Sequence, residues 1–331
     1  MSNTNLRDAK KKKNDEFYTR IEDVERELVH YDFTGKWVYS PSDDYRESKF
    51  TEYFVTNFSD LGLTHYTCTN YDLGYGAYRF DYDGENTTVT PLEGNGDFAS
   101  DECRQIMKEC DIVVTNPPFS LFRPFVAQIM EFNKKFLIIG NKNAITYKEI
   151  FPLIKDNKMW LGFTVPEDFE QPEGFEKKSL KGLTRWFTNL VHSKRLDGIY
   201  CPARYKGRED KYPVYDNYDA IEIGHYTKTG KWEGSLDELP SDYDGVMGVP
   251  ITFLDHYSPE QFEIVGFFNN YNPEKVVGID GAIYGKEAPV TSTTSLFRGP
   301  VVNRKALYFR VLIRRKRLTK PFSFSIRQPA L

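Results

Sequence analysis

Between about residue 35 and residue 190, short apolar and β-branched runs alternate with stretches whose apolar positions recur at helical spacing. Residues 38–40 predict a first strand, 48–58 a helix and 65–69 a second strand. A helix over 101–110 follows Ser100, a residue suited to capping it. Asp111-Ile112-Val113-Val114-Thr115 is then an almost unbroken apolar run, as a central parallel strand needs when both its faces are covered. Residues 122–132 predict the next helix and 136–139 the next strand. A helix around 147–155, a strand over 159–163 and a β-rich run over 185–190 complete the series. This order predicts an α/β fold with a Rossmann-like, doubly wound sheet.

The alternation stops near Val191 and gives way to Tyr-, Pro- and Gly-rich segments over 212–218 and 243–254. A length of 331 residues suits one catalytic core plus a second unit. Three parts are expected: an N-terminal basic segment over 1–34, a catalytic domain over 35–191 and a further region over 192–331. A Pro-, Gly- and Glu-rich stretch over 165–181 interrupts the sheet before its last strand, and a loop of that length is often functional.

Composition narrows the function classes. No apolar run approaches the roughly 18 residues of a membrane span, and the polar N-terminus lacks a secretory signal pattern, so a cytoplasmic protein is expected. Four cysteines and five histidines are scattered, which predicts neither a disulfide framework nor a metal site. The net charge of −4 speaks against a polyanionic partner only until its distribution is considered. Residues 191–331 hold 20 Lys and Arg against 17 Asp and Glu, and residues 291–331 hold 10 basic and no acidic side chains. Two clusters stand out: Lys194, Arg195, Arg204, Lys206 and Arg208, then Arg304, Lys305, Arg310, Arg314, Arg315, Lys316 and Arg317, with aromatics interleaved. Basic side chains among aromatics suit phosphate tracking and stacking, so a polyanionic partner is expected. A solvated basic tail is the plainer alternative.

The chemistry is concentrated in Asn116-Pro117-Pro118-Phe119, directly after the central strand, where open α/β sheets bind ligands. Methylating an exocyclic aromatic amine requires its nitrogen lone pair to point at a methyl donor. The Asn116 side-chain carbonyl and the Pro117 main-chain carbonyl can accept the two amine hydrogens, in bonds that strengthen as the nitrogen becomes positive. Two prolines stiffen the loop, and Phe119 offers a face for a flipped base. The same residues also end strands in ordinary turns.

With these residues in view, the chain resembles the EcoRI-type family of adenine-N6 modification methyltransferases. The resemblance runs from Asp15 to about Arg315 and is densest over 15–19, 111–123, 135–139, 146–149, 160–162 and 243–254. It implies S-adenosyl-L-methionine as the methyl donor, with no metal, and a flipped adenine in duplex DNA as the acceptor. It also implies that Phe17, Tyr18 and Thr19 form an N-terminal cofactor element. Asp43 and Asp44, after the first strand, suit the cofactor's cationic amino group, although the glycine-rich turn of most methyltransferases is missing from Ser40-Pro41-Ser42. Asp97 and Phe98 resemble the element that holds the cofactor's adenine, and Tyr71 or Asp72 is a candidate for its ribose. Arg123, one helical turn beyond the loop, suits a phosphate or an ordinary surface ion pair. A separately acting restriction endonuclease and a monomeric enzyme fit this family. Two other readings stay open: an inert DNA-binding or anti-restriction protein with the same fold, and an RNA or protein-glutamine methyltransferase.

Overall fold

The computed structural model describes residues 18–72, 74–167, 169–170, 182–226, 232–233, 236–268, 281–291 and 296–316. They fall into two compact units, Met1–Thr146 with Met159–His192, and Tyr147–Lys158 with Ser193–Leu331. The helical segment predicted around 147–155 therefore belongs to the second unit, not to the sheet that its sequence neighbours build.

The first unit opens with β1 (Tyr18–Thr19) and α1 (Ile21–Leu28), followed by β2 (Trp37–Pro41), α2 (Lys49–Thr56) and β3 (His65–Thr69). Next come β4 (Tyr78–Tyr82), β5 (Thr87–Pro91), α3 (Asp101–Glu109), β6 (Ile112–Thr115), α4 (Phe122–Glu131) and β7 (Lys135–Asn141). After α5 (Phe151–Lys155), the chain returns to this unit as β8 (Trp160–Leu161), β9 (Phe169–Glu170) and β10 (Thr184–Thr188). Serine caps open two of the helices. Ser48 accepts from the amides of Phe50 and Thr51, and Ser100 accepts from Cys103, each satisfying amides that a helix start leaves unpaired.

Among the described residues the main sheet has eight strands, in the order β5-β4-β3-β2-β6-β7-β10-β8. Its centre is parallel: β3 beside β2, β2 beside β6, and β6 beside β7. Its margins are antiparallel, with the β4–β5 hairpin on one edge and β10 with β8 on the other. The sheet is thus mixed, with a parallel centre and antiparallel margins. The hairpin is the missed element, because β5 is exposed along its whole length and so carries no apolar alternation. Alternation along the central strands sends Val38, Tyr66, Val114 and Leu137 into one core with Phe50 and Phe54 of α2 and Val24 and Leu28 of α1. On the other face, the Cys103 thiol of α3 reaches the Thr69 hydroxyl. β6 is buried at all four positions, as its apolar run requires.

Among the described residues the second unit contains a five-stranded sheet. Its strands are β11 (Ile221–Glu222), β12 (Val246–Pro250), β13 (Phe262–Phe268), β14 (Ala282–Ile283) and β15 (Arg310–Arg315), in the order β11-β12-β15-β13-β14. Inside it the Arg310 guanidinium pairs with Glu222 at 2.7 Å, and the Tyr215 hydroxyl donates to the same carboxylate. Among the described residues no helix is long and apolar enough to cross a membrane.

Candidate active site

After β2 the chain moves to one neighbour, β3, and later returns to the other, β6, which makes the carboxyl ends of β2 and β6 a topological switch point. Three loops are stitched together there. Ser42 takes a left-handed conformation, φ 65°, so this turn has a glycine-like backbone without a glycine. The Asp43 amide then donates to the Thr69 carbonyl at the end of β3, at 2.8 Å. Its Oδ1 accepts from the Ser48 hydroxyl at 2.9 Å, and its Oδ2 lies 2.6 Å from Thr115 Oγ1. Thr115 Oγ1 also lies 2.8 Å from the Pro41 carbonyl. Burial pushes the Asp43 carboxyl up to about 7, against the hydrogen bonds from Thr115 and Ser48. Asp44 has a different role. Hydrogen bonding from Arg46, in a two-pronged pair, holds its carboxyl below the usual range. The two adjacent acids therefore do not act as one pair.

A second pair of loops meets beyond β3. Asn70 Oδ1 accepts from the Tyr78 amide, while Asp72 Oδ1 accepts from the amides of Gly74, Tyr75 and Gly76 at 2.6–2.9 Å. Those amides, Gly74 first, lower the Asp72 pKa and commit this carboxylate to shaping its own loop. The Asp72 amide donates to the Asn95 carbonyl at 2.8 Å. Gly96 has φ +71°, and a Cβ there would overlap the Asn70 carbonyl oxygen, so only glycine allows the two loops to approach so closely. This approach brings Asp97 and Tyr71 onto neighbouring loops. Asp97 Oδ1 accepts from the Ala99 amide at 2.9 Å. Phe98 is buried, packs edge-on against Phe125 with ring centroids 5.0 Å apart, and lends its carbonyl to Gln128.

Between these loops, Asn116-Pro117-Pro118-Phe119 leaves the end of β6. Pro117 is buried. The Pro118 carbonyl accepts from the Leu121 amide at 2.9 Å and closes a single 3₁₀ turn over Phe119–Leu121. Phe119 is half-buried and packs at the margin of the α1/α2-side core. Arg123 is exposed in the first turn of α4. The turn is tied down behind by Phe122, whose ring lies so close to Gly140 that a Cβ there would overlap it.

Of the N-terminal candidates, Phe17 and the side chain of Tyr18 lie outside the described residues, as do most of the 165–181 loop and the tail from residue 317. Thr19 is buried, and Tyr18–Thr19 pairs antiparallel with Phe169–Glu170. Two residues that sequence reading passed over hold this region. Thr115 joins the first turn to the Asn116–Phe119 loop. Glu27, wholly buried on α1, accepts from the Tyr31 hydroxyl, the amides of Phe163 and Thr164, and the Thr164 hydroxyl, at 2.5–2.7 Å. The signal for Glu27 was available, since an acid one turn from Val24 and beside Leu28 lies on an apolar face. Burial raises its pKa against these four donors.

The basic candidates of the second unit separate by exposure. Arg204, Lys206 and Arg208 are exposed, beside a Tyr205 ring 4.5 Å from Tyr243. Arg304 is exposed, and Lys194 is half-buried. Arg314 forms a surface ion pair with Glu263 at 3.0 Å. Arg315 is half-buried, with a bond to the Pro240 carbonyl and its guanidinium over Phe262. Arg195 departs from expectation. It is 7% exposed, donates to Asn157 at 2.7 Å and lies over Tyr257, because its helix, Ser193–Leu196, turns that side chain inward. A phosphate contact needs a reachable guanidinium, and this one is packed inside the unit.

A mixed α/β sheet with an Asn-Pro-Pro-aromatic loop at its switch point is consistent with the methyltransferase class. A family model described as adenine-specific methyltransferase EcoRI matches residues 5–316. The chain is similar to the Type II methyltransferase M.EcoRI of Escherichia coli, 39% identical over 96% of this chain and 98% of that protein. It is similar also to the Type II methyltransferases M.MgeORF184P of Mycoplasma genitalium, at 34% identity over 94% and 98% of the two chains, and M.MpnI of Mycoplasma pneumoniae, at 36% over 79% and 85%. The chain belongs to the adenine-specific methyltransferase EcoRI family, as its shared sequence words imply. No solved structure matches it.

Proposed function

We propose that this DNA adenine methyltransferase transfers the methyl group of S-adenosyl-L-methionine to N6 of an adenine flipped out of duplex DNA at a specific site. The observation that carries the reading is the Asn116-Pro117-Pro118-Phe119 loop at the β2/β6 switch point, anchored through Thr115. In this reading Asn116 Oδ1 and the Pro117 carbonyl accept the two N6 hydrogens and hold the nitrogen lone pair toward the donor. These bonds tighten as charge develops on the nitrogen. Phe119 stacks on the base, replacing the stacking given up in the duplex. The N6 proton leaves to water after transfer, so no general base is needed.

The donor set suits a cofactor that carries an ammonium group and an adenine. Asp43 is a partly buried acid at the end of β2, and Asp97 retains acceptor capacity beyond its bond to Ala99. Tyr71 lies on the adjoining loop, and Phe98 backs Asp97 from the core. When bound, the cofactor supplies an electrophilic methyl sulfonium, which needs no metal to activate it. The Met1–Thr146 and Met159–His192 unit is read as the Rossmann-like catalytic part. Residues 192–331 are read as the target-recognition region, where Arg204, Lys206, Arg208 and Arg304 meet phosphates. The enzyme acts as a cytoplasmic monomer, with any cognate endonuclease acting separately.

The test is incubation with labelled cofactor and mixed duplex DNA, followed by mapping of N6-methyladenine. Asn116→Ala is expected to abolish transfer and leave cofactor affinity largely intact, because Asn116 contacts the base. Unchanged turnover in that variant would falsify the site. DNA binding without modification by the parent protein would favour the inert-binder reading instead.

A further inference from the structure

The contacts around Thr115 pose a question of proton count. Thr115 Oγ1 lies 2.8 Å from the Pro41 carbonyl and 2.6 Å from Asp43 Oδ2. A hydroxyl has one hydrogen and a main-chain carbonyl has none. One Thr115 hydrogen serves both acceptors only as a bifurcated bond; each contact is a full two-centre hydrogen bond when Asp43 Oδ2 carries a proton and donates to Thr115, which in turn donates to Pro41. Asp43 Oδ1 does not supply that hydrogen, since it accepts from Ser48, whose oxygen is occupied by the amides of Phe50 and Thr51.

We propose that Asp43 stands as the neutral acid in the cofactor-free protein and that Thr115 is a positioning residue for Asn116, acting through the chain Asp43 Oδ2–H to Thr115 Oγ1–H to the Pro41 carbonyl. This chain ties the residue before Asn116 to the turn after β2. The acid's surroundings support a neutral form. Burial raises its pKa, and the groups facing it are Asp44, paired with Arg46, on its own turn, and Tyr66 and Cys68 on β3, both kept neutral by burial. The cation on that turn, Arg46, is committed to Asp44 in a two-pronged pair.

The inference rests on the methyltransferase reading for its consequence, and it adds a coupling to that reading. A cation arriving beside Asp43 releases the carboxyl proton to water, and the Thr115 hydrogen turns from the Pro41 carbonyl to Oδ2. The hydroxyl bridges the turn and the catalytic loop in either state. Occupation of the cofactor site thereby changes the hydrogen bonding of the residue that precedes Asn116. Binding should release up to one proton per site below about pH 7.

Two measurements test this on the full chain. In the cofactor-free protein, the Asp43 carboxyl carbon shift, followed by nuclear magnetic resonance, should titrate with a midpoint near 7. A midpoint in the ordinary carboxylate range would overturn the neutral acid. In single-turnover methylation at saturating cofactor and DNA, Thr115→Val, which keeps the shape and removes the hydroxyl, should slow transfer on the order of tenfold or more. Its melting temperature should change little, and Thr115→Ser should restore most of the rate. Equal rates in parent, Val and Ser proteins would overturn the positioning role. A parent protein that methylates no adenine would instead sink the enzymatic reading, and the Asp43 titration would still decide the chain.

Discussion

Gly96 and Asp43 show how single residues constrain this site. At Gly96 both a left-handed backbone and the Asn70 carbonyl exclude a side chain. Gly96→Ala is expected to cost roughly 2–5 kcal/mol, the sum of overpacking and left-handed strain. Urea denaturation would report it as a lower midpoint. Asp43 makes a prediction about pH. Its folded pKa of about 7 lies above the ordinary value of 3.8. Such a group contributes stability that is fully present below the unfolded value and is lost as pH rises through the folded one. Relative to Asp43→Asn, the parent protein should therefore lose stability between about pH 4 and pH 7 and level off above, as followed by chemical denaturation across that range. Sequence reading identified the Asp43–Asp44 pair but not the division of labour within it. Arg46 is a sequence neighbour of Asp44, whereas Thr115, the partner of Asp43, lies 72 positions away.

At the scale of elements, α1 is fastened to the segment after β8 by Glu27, and by Asp23 and Arg26, which reach Glu167 and Val165. Glu27 Oε1 lies so close to Gly162 that a Cβ there would overlap it. Glu27→Ala deprives two amides and two hydroxyls of their acceptor inside the unit. Roughly 2–5 kcal/mol of destabilisation is expected. Hydrogen exchange should quicken at the Phe163 and Thr164 amides while those of β6 stay protected. Equal exchange at all of these sites would show that the clamp is not what holds α1. The elements themselves differ in how far sequence reveals them. β3 occupies the predicted residues 65–69, and α3 starts on Ser100 as its cap. The β4–β5 hairpin went unread although its turn chemistry, Asp83 accepting from the amides of Glu85 and Asn86, is local, because its outer strand faces solvent and carries no apolar alternation. The segment 159–163 yields only a two-residue strand, since the amides of Phe163 and Thr164 turn to Glu27 instead of extending the ladder.

For the whole molecule, the exposed and buried arginines of the second unit make opposite predictions about DNA. Replacing Arg204, Lys206 and Arg208 with Ala should weaken duplex binding at low salt and reduce the magnitude of the log–log salt slope, by about 0.9 for each phosphate that is no longer neutralised. Fluorescence anisotropy across salt concentrations measures both. Arg195→Ala should leave the slope unchanged and lower thermal stability, because Arg195 is packed over Tyr257 and bonded to Asn157. A shallower slope in that variant would return Arg195 to the surface. Sequence by itself determined the things that local pattern encodes: the alternation of strands and helices, the buried run before Asn116, the proline-stiffened loop and the shared words that mark the family. Tertiary structure decided the rest. Which acid is buried, which arginine turns inward and which hydroxyl joins the first turn to the Asn116–Phe119 loop all depend on contacts between residues far apart in the chain, where burial and hydrogen-bond geometry, not residue type, set the chemistry.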